Sequence, residues 1–333
     1  MTNERIHKPQ APYPWQQAIW QRLVTQWHQA ALPHGILFVA PYGLGYIELA
    51  LSWAAFLFCE APTARPCQQC RNCLAVHENR HANLFFVDGA TTGVQEVRGL
   101  HGELFLSTKD TRLVVVHHAE ALSTAAVNAW LKCLEDPPEQ TIFLMLCNHA
   151  AALPATLRSR LVCYQAPRAT PDQALQFLQP QLASNTVSQA DVDAMLACCG
   201  GPLAVWDALE QGMAEQLHAL EHLLSGVGAG RLSALEAAAQ RPTALALEQA
   251  LRWLIWHVTQ HLKAYDTNKG VLASMAPHED KRPPWLKTGS LDTWLMRYDA
   301  FVALCKRLKE NQLGERLGWE TFFLLIADDH AAG

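Results

Sequence analysis

Four cysteines, Cys59, Cys67, Cys70 and Cys73, fall within fifteen residues of one another. Thiolates are soft ligands, and four of them complete a tetrahedral Zn2+ site with no position left for a catalytic water. Pro62 and Pro66 break helical continuation inside this stretch, which leaves the last three cysteines on a tight turn that can wrap one ion. Buried or redox cysteines are the competing reading. Four thiols in so short a polar loop favour structural zinc. The chain has ten cysteines in all, a number suited to a reducing compartment, where clustered cysteines bind metal more often than they pair. His77 and His81 follow closely, but with four thiols already available they read as solvated or capping groups.

A second kind of chemistry is present only as an outline. The turn between the apolar run Gly35–Ala40 and the helical run Ile47–Phe58 sits where a phosphate-binding loop would sit. That loop needs G-x-x-x-x-G-K-[ST], and the eight positions here run from Ala40 to Ile47. Gly43 and Gly45 lie inside the turn, but Tyr46 stands where the lysine would be and Ile47 where the hydroxyl would be. A tyrosine cannot neutralise phosphate charge, and an isoleucine offers magnesium no oxygen. The run Leu113–Val116 would end in Asp-Glu in an ATPase; here it ends in His117-His118, with Glu120 two positions later. Imidazoles do not replace a magnesium-binding carboxylate, and no further ligand follows the His pair at a recognisable spacing, so the pair reads as structural. Asn148 ends the next apolar run and reads as bonding to local backbone. Taken alone, the Ala40–Ile47 turn fits either a plain strand–helix connection or a degenerate phosphate loop; neither hydrolyses ATP.

The elements that must position these groups follow from periodicity. Gly35–Ala40, Asn83–Val87, Leu113–Val116 and Thr141–Cys147 are short continuous apolar runs, the pattern of parallel strands buried on both faces. Pro14–Gln29, Ile47–Phe58 and Val94–Leu106 have helical period between them. So does Ser123–Glu135, with Ser123 as N-cap, Ala126, Trp130, Cys133 and Leu134 on one stripe, and Pro137-Pro138 as the stop. Alternating strands and helices predict a parallel α/β sheet with helices on both faces. From Arg168 the pattern becomes helical, over about 171–177, 188–199 and from Pro202 onward after the Gly200-Gly201 stop. Leu247, Leu251, Leu254, Ile255, Val258 and Leu262 mark a wide apolar helix face. Lys269–Ser290, polar and carrying three prolines, predicts an exposed loop, with helices resuming around Tyr298–Leu308 and Trp319–Ile326.

The 333 residues are half hydrophobic, enough for two or three cores, and the formal charge of −5 argues against a chain whose main work is gripping a phosphate backbone. No run reaches the roughly eighteen apolar residues of a membrane span. Met1–Gln10 is polar and lacks the apolar core of a secretory signal, so a cytoplasmic location with no membrane partner is expected.

Two stretches carry a family resemblance. Asn128 through Pro138 resembles the N-A-L-L-K-x-L-E-E-P-P helix of the clamp-loader branch of the AAA+ family, and Leu157-Arg158-Ser159-Arg160-Leu161 resembles its L-x-S-R-C motif, with leucine in place of cysteine. The cysteine cluster resembles the zinc module inserted in that family's ATPase-like domains. The likeness covers the N-terminal half well and the last third only by length and helicity. It implies an α/β AAA+ (P-loop NTPase-like) domain at 1–166, with a degenerate nucleotide site at Gly43, Gly45, Tyr46 and Ile47 and a four-cysteine zinc module at 59–73. A small helical lid at 167–208 and an all-α collar at 209–333 would follow. The lid's nucleotide-sensing arginine is missing from Leu203-Ala204-Val205-Trp206. Arg160 is implied as an arginine finger in trans, its fork of donors reaching a neighbouring subunit's γ-phosphate.

The implied function is a non-hydrolysing subunit of a clamp loader, part of a DNA-directed DNA polymerase holoenzyme without catalysis of its own. The implied partners are gamma or tau ATPase subunits and a delta subunit, with the sliding clamp and primed DNA reached through the complex. Zn2+ is the expected ligand and ATP is not. Two rivals are an atypical active AAA+ ATPase, which nucleotide would stabilise, and a zinc-containing DNA-binding module, which would bind duplex with a steep salt slope.

Overall fold

The computed structural model describes residues 12–41, 43–105, 110–182, 189–267, 284–286, 290–309 and 313–327. The chain divides into two compact units, Met1–Phe177 with Gly201–Leu203, and Leu178–Gly200 with Ala204–Gly333.

The first unit is built on five parallel strands, β1 (Gly35–Val39), β2 (Leu84–Asp88), β3 (Arg112–His117), β4 (Thr141–Cys147) and β5 (Val162–Gln165), in the order β2-β3-β4-β1-β5. Helix α1 (Gln17–His28) precedes β1, and between the strands run α2 (Tyr46–Phe58), α3 (Arg71–His77), α4 (Val94–Leu104), α5 (Thr124–Glu135) and α6 (Ala155–Arg158). Strand side chains alternate between faces, and the apolar runs supply both. Ile36, Phe38, Leu113, Val115 and Leu144 join the core formed with α1, α2 and α3. Leu37, Val114, Val116, Phe143 and Met145 join the one formed with α4, α5 and α6. The expected α/β class, a parallel sheet covered on both faces, is the fold observed.

Local chemistry sets the element ends. Every residue of α2 is buried, so this helix is apolar all round rather than striped. Ser123 caps α5 by accepting the Ala126 N–H at 3.2 Å, and the helix stops at Glu135 ahead of Pro137. Ala126, Trp130, Cys133 and Leu134 form its buried face.

Beyond β5 the described residues form helices only: α7 (Pro171–Leu182), α8 (Gln189–Cys199), α9 (Pro202–Glu210), α10 (Met213–Gly228), α11 (Ala234–Ala239), α12 (Leu247–Thr267), α13 (Leu291–Lys309) and α14 (Glu315–Leu324), with a 3-10 turn at Pro284–Leu286. Four tryptophans, Trp253, Trp285, Trp294 and Trp319, are buried in the second unit. The predicted α12 face is buried at Leu247, Leu251, Leu254 and Val258. No single helix among the described residues is long and apolar enough to cross a membrane.

Three local expectations are corrected. The Lys269–Ser290 segment is not wholly exposed, because Trp285 and Leu286 sit in the second unit's core; most of the segment lies outside the described residues. The last cysteines start a short helix, α3, as well as a turn. Strand β5 escaped the apolar-run criterion because only Tyr164 of its four residues is buried.

Candidate functional site

The four cysteine sulfurs converge. Cys59 leaves the C-terminal end of α2, Cys67 precedes α3, Cys70 is its N-cap and Cys73 lies in its first turn. All four Sγ atoms lie within 4.8 Å of one another. A zinc–sulfur bond of about 2.3 Å in tetrahedral geometry needs sulfurs roughly 3.8 Å apart, so the cluster fits one ion. Backbone N–H groups already point at the sulfurs: Ala61 and Cys67 donate to Cys59 Sγ at 3.4 Å, Cys70 to Cys67 Sγ at 3.3 Å, and Cys73 to Cys70 Sγ at 3.4 Å. Such donors favour thiolate over thiol. The backbone N–H groups of Gln69 and Cys70 lower the Cys67 thiol. Burial works against ionisation of Cys70, but the Glu60 and Cys73 backbone bonds and the neighbouring thiols outweigh it and bring Cys70 to about 6. Burial raises the Cys73 thiol, the group most in need of a cation to release its proton. The donor set fits a closed structural Zn2+ site held by these four residues. His77 stands apart from the four sulfurs, bonded to Gln68 Oε1 at 2.5 Å, and His81 stacks on Phe58 with centroids 4.1 Å apart.

At the phosphate-loop position, Gly43 and Gly45 take left-handed conformations, with φ of 79° and 73°. Tyr42 lies outside the described residues. The loop carbonyls are already engaged. Leu44 O accepts from Trp15 Nε1 at 2.9 Å and Gln16 Nε2 at 2.7 Å, and Gly45 O accepts from Gln16 Nε2 at 2.7 Å. Gly43 O accepts the Leu203 N–H at 3.0 Å. Gly201 approaches so closely that a Cβ there would lie 2.3 Å from Gly43 O. Tyr13 stacks on Trp15 at 5.1 Å, Phe177 meets both edge-on, and a Cβ on Gly45 would lie 2.6 Å from the Tyr13 ring. Tyr46 and Ile47 are buried, and burial raises the Tyr46 phenol. Aromatic rings therefore pack against the described part of this loop, and the carbonyls of residues 43 to 45 are hydrogen-bonded.

Sequence reading missed Tyr13, Trp15 and Gln16 in this role. Their only sequence signal is an aromatic pair flanking Pro14 ahead of a helix.

Arg160 follows α6 and precedes β5. Its Nη1 donates to Thr156 O at 2.8 Å and its Nη2 to Glu135 Oε1 at 2.5 Å, with the guanidinium side chain about a third exposed. His117 and His118 stand at the end of β3, and the register of β2 on β3 puts Asp88 opposite His117. Asp88 was not singled out by sequence; its only signal is that it ends a strand. The Asn148 side-chain oxygen is buried without a hydrogen-bond partner among the described residues, not bonded to local backbone as expected, while its backbone N–H donates to Glu120 Oε1 at 3.4 Å. These groups lie at distinct points of the first unit: the four cysteines share one site, and Arg160 is not part of it.

A family model described as DNA polymerase III, delta subunit, matches residues 15–169. DNA polymerase III subunit delta' of Haemophilus influenzae is 30% identical over 211 residues, 62% of this chain and 64% of that protein. The subunit of the same name from Yersinia pestis is 34% identical over 205 residues, 58% of this chain and 59% of that protein. DNA polymerase III subunit tau of Bacillus subtilis is 28% identical over 179 residues, 51% of this chain and 32% of that protein. The match spans less than two thirds of the length of these relatives.

Proposed function

We propose a function from the match of residues 15–169 to the family model described as DNA polymerase III, delta subunit. The chain acts as the delta-prime subunit of the clamp-loader complex, helping to place the sliding clamp on primed DNA without hydrolysing ATP. It works beside gamma or tau ATPase subunits and a delta subunit, in the cytoplasm. The similarity to both delta' and tau relatives supports an assembly of related modules in which this one has a different task.

The observation that carries the reading is the closed phosphate-loop turn. Tyr13 stacks on Trp15 and lies against Gly45, Gly201 presses against Gly43, and no lysine stands at position 46 or hydroxyl at position 47. A triphosphate brought there would meet aromatic surface and lack the loop lysine that would neutralise it. Arg160 then serves a neighbouring subunit: a guanidinium outside the sheet, bonded among the described residues to a carbonyl, a hydroxyl and one carboxylate, can transfer its fork to a γ-phosphate in trans. In this reading residues 1–166 are the ATPase-like domain, 167–208 a lid and 209–333 a collar that joins the ring. Cys59, Cys67, Cys70 and Cys73 hold Zn2+ as a structural ion.

Thermal unfolding of the chain alone, with and without Mg-ATP, tests the closed loop. A ligand at a hundred times its Kd adds about 2.7 kcal/mol of stability to a native state that binds it. No shift is expected at millimolar nucleotide; a shift of several degrees overturns the reading in favour of an atypical active ATPase.

A further inference from the structure

We propose that Asp88, His117 and His118 form a second metal site, taking a divalent first-row transition ion such as Zn2+ or Co2+ at the C-terminal edge of β2 and β3. One imidazole nitrogen from each histidine and one carboxylate oxygen lie within 4.8 Å of one another, and His118 Nδ1 is 3.0 Å from Asp88 Oδ1. Two donors bound at about 2.1 Å to one ion stand roughly 3.0–3.4 Å apart, so this pair is already at ligand spacing. Two imidazoles and one carboxylate suit a borderline transition ion, whereas magnesium demands oxygen throughout.

Three independent features build the cluster. In a regular strand, successive side chains point to opposite faces, so adjacent histidines could not share an ion. His118 breaks that alternation with a left-handed backbone, φ 49° and ψ 47°, and the two rings come to 3.6 Å between centroids. Such a conformation is uncommon outside glycine, though histidine, asparagine and aspartate tolerate it better than most. The parallel register then sets Asp88 opposite His117, with Gly89 N–H bonded to His117 O at 2.8 Å. Finally, Gly89 lets the turn close: a Cβ there would lie 2.3 Å from His118 O. A simple Asp88–His118 ion pair would need neither the His117 ring nor the turned backbone that brings it alongside. The described residues supply three protein ligands, so one position stays open for water or another donor, unlike the four-cysteine site. The C-terminal edge of a parallel sheet is also where open α/β folds place their ligands.

The test is equilibrium dialysis of Co2+ against the full chain whose cysteine site has first been filled with Zn2+. One Co2+ per chain is expected, with visible d–d absorption and none of the thiolate charge-transfer absorption that cobalt in the cysteine site would give. His118→Asn keeps a residue tolerant of the left-handed backbone, and Asp88→Asn keeps the side-chain volume; each is expected to weaken Co2+ binding at least tenfold while far-UV circular dichroism stays the same. No Co2+ bound by the wild-type chain overturns the proposal. So does binding that carries the thiolate signature, or that is unchanged in both folded variants.

Discussion

Glu135 and Arg160 form an ion pair between the last residue of α5 and the turn ahead of β5, with Oε1 2.5 Å from Nη2. The carboxylate is about half exposed and the guanidinium about a third, which makes this a surface pair worth roughly 0–1 kcal/mol. A multiply charged phosphate competes with such a partner easily. Glu135→Gln is therefore expected to leave the melting temperature nearly unchanged and to hold or raise ATP turnover of a reconstituted clamp loader, by at most about fivefold. Steady-state turnover with the variant checks this; a tenfold fall would mean that Glu135 does more than park the arginine.

Removing metal from the cysteine cluster should cost stability. A strong chelator at neutral pH is expected to lower the melting temperature of the purified chain by at least about 5 °C, equivalent to roughly 2 kcal/mol for a unit of this size. Cys70→Ser should reproduce the loss, while Cys163→Ser, at an exposed thiol, should not. Superimposable melting curves with and without chelator would count against a structural ion.

His257 makes the second unit sensitive to acid. Its ring lies 4.3 Å from Trp253, 4.8 Å from Trp256 and 6.2 Å from Trp285 by centroids. Burial among these rings pushes its pKa down to about 4, against a smaller opposing pull from Asp191. Below its ordinary value near 6.5 the unfolded chain takes up a proton that the folded chain refuses. The stabilisation from keeping this ring neutral is complete above pH 6.5 and is lost as pH falls toward 4, by up to about 3 kcal/mol. Urea unfolding across that range should show the slope, and His257→Phe should flatten it; equal slopes in both proteins would contradict the assignment.

Two glycines separate contact from conformation. A methyl at Gly201 meets the backbone oxygen of Gly43, which cannot swing aside, so Gly201→Ala is expected to destabilise by about 1–3 kcal/mol. A methyl at Gly102, inside α4, meets nothing within 4 Å, and Gly102→Ala should stabilise by about 0.5–1 kcal/mol through helix propensity. Differential scanning calorimetry on the two variants checks the opposite signs. A Gly201→Ala chain as stable as wild type would mean that residue 201 is not pressed against the loop.

Much of this architecture is legible in the sequence because it rests on local chemistry. The strands of the sheet centre are continuous apolar runs, Ser123 is an N-cap by residue type, and Pro137 stops α5 by geometry. The cysteine cluster is legible because its ligands crowd into one short segment. What escaped depends on groups far apart along the chain. Trp15 and Gln16 reach Leu44 across 29 and 28 positions, and Asp88 meets His118 across 30, only because β2 and β3 pair in one register and His118 turns left-handed. Trp285 was hidden for another reason: the prolines and polar residues around it outweighed one large apolar side chain in the local pattern.

The most direct measurement is ATP turnover of the clamp loader reconstituted with gamma or tau and delta subunits and either wild-type chain or Arg160→Ala. An arginine finger contributes about 10³–10⁵ to turnover in related phosphoryl transfer. The variant should fold and assemble normally, yet turnover at the site facing it should fall by at least about a hundredfold. Turnover that is the same with either chain in a fully assembled complex would contradict a role for Arg160 in a neighbour's active site.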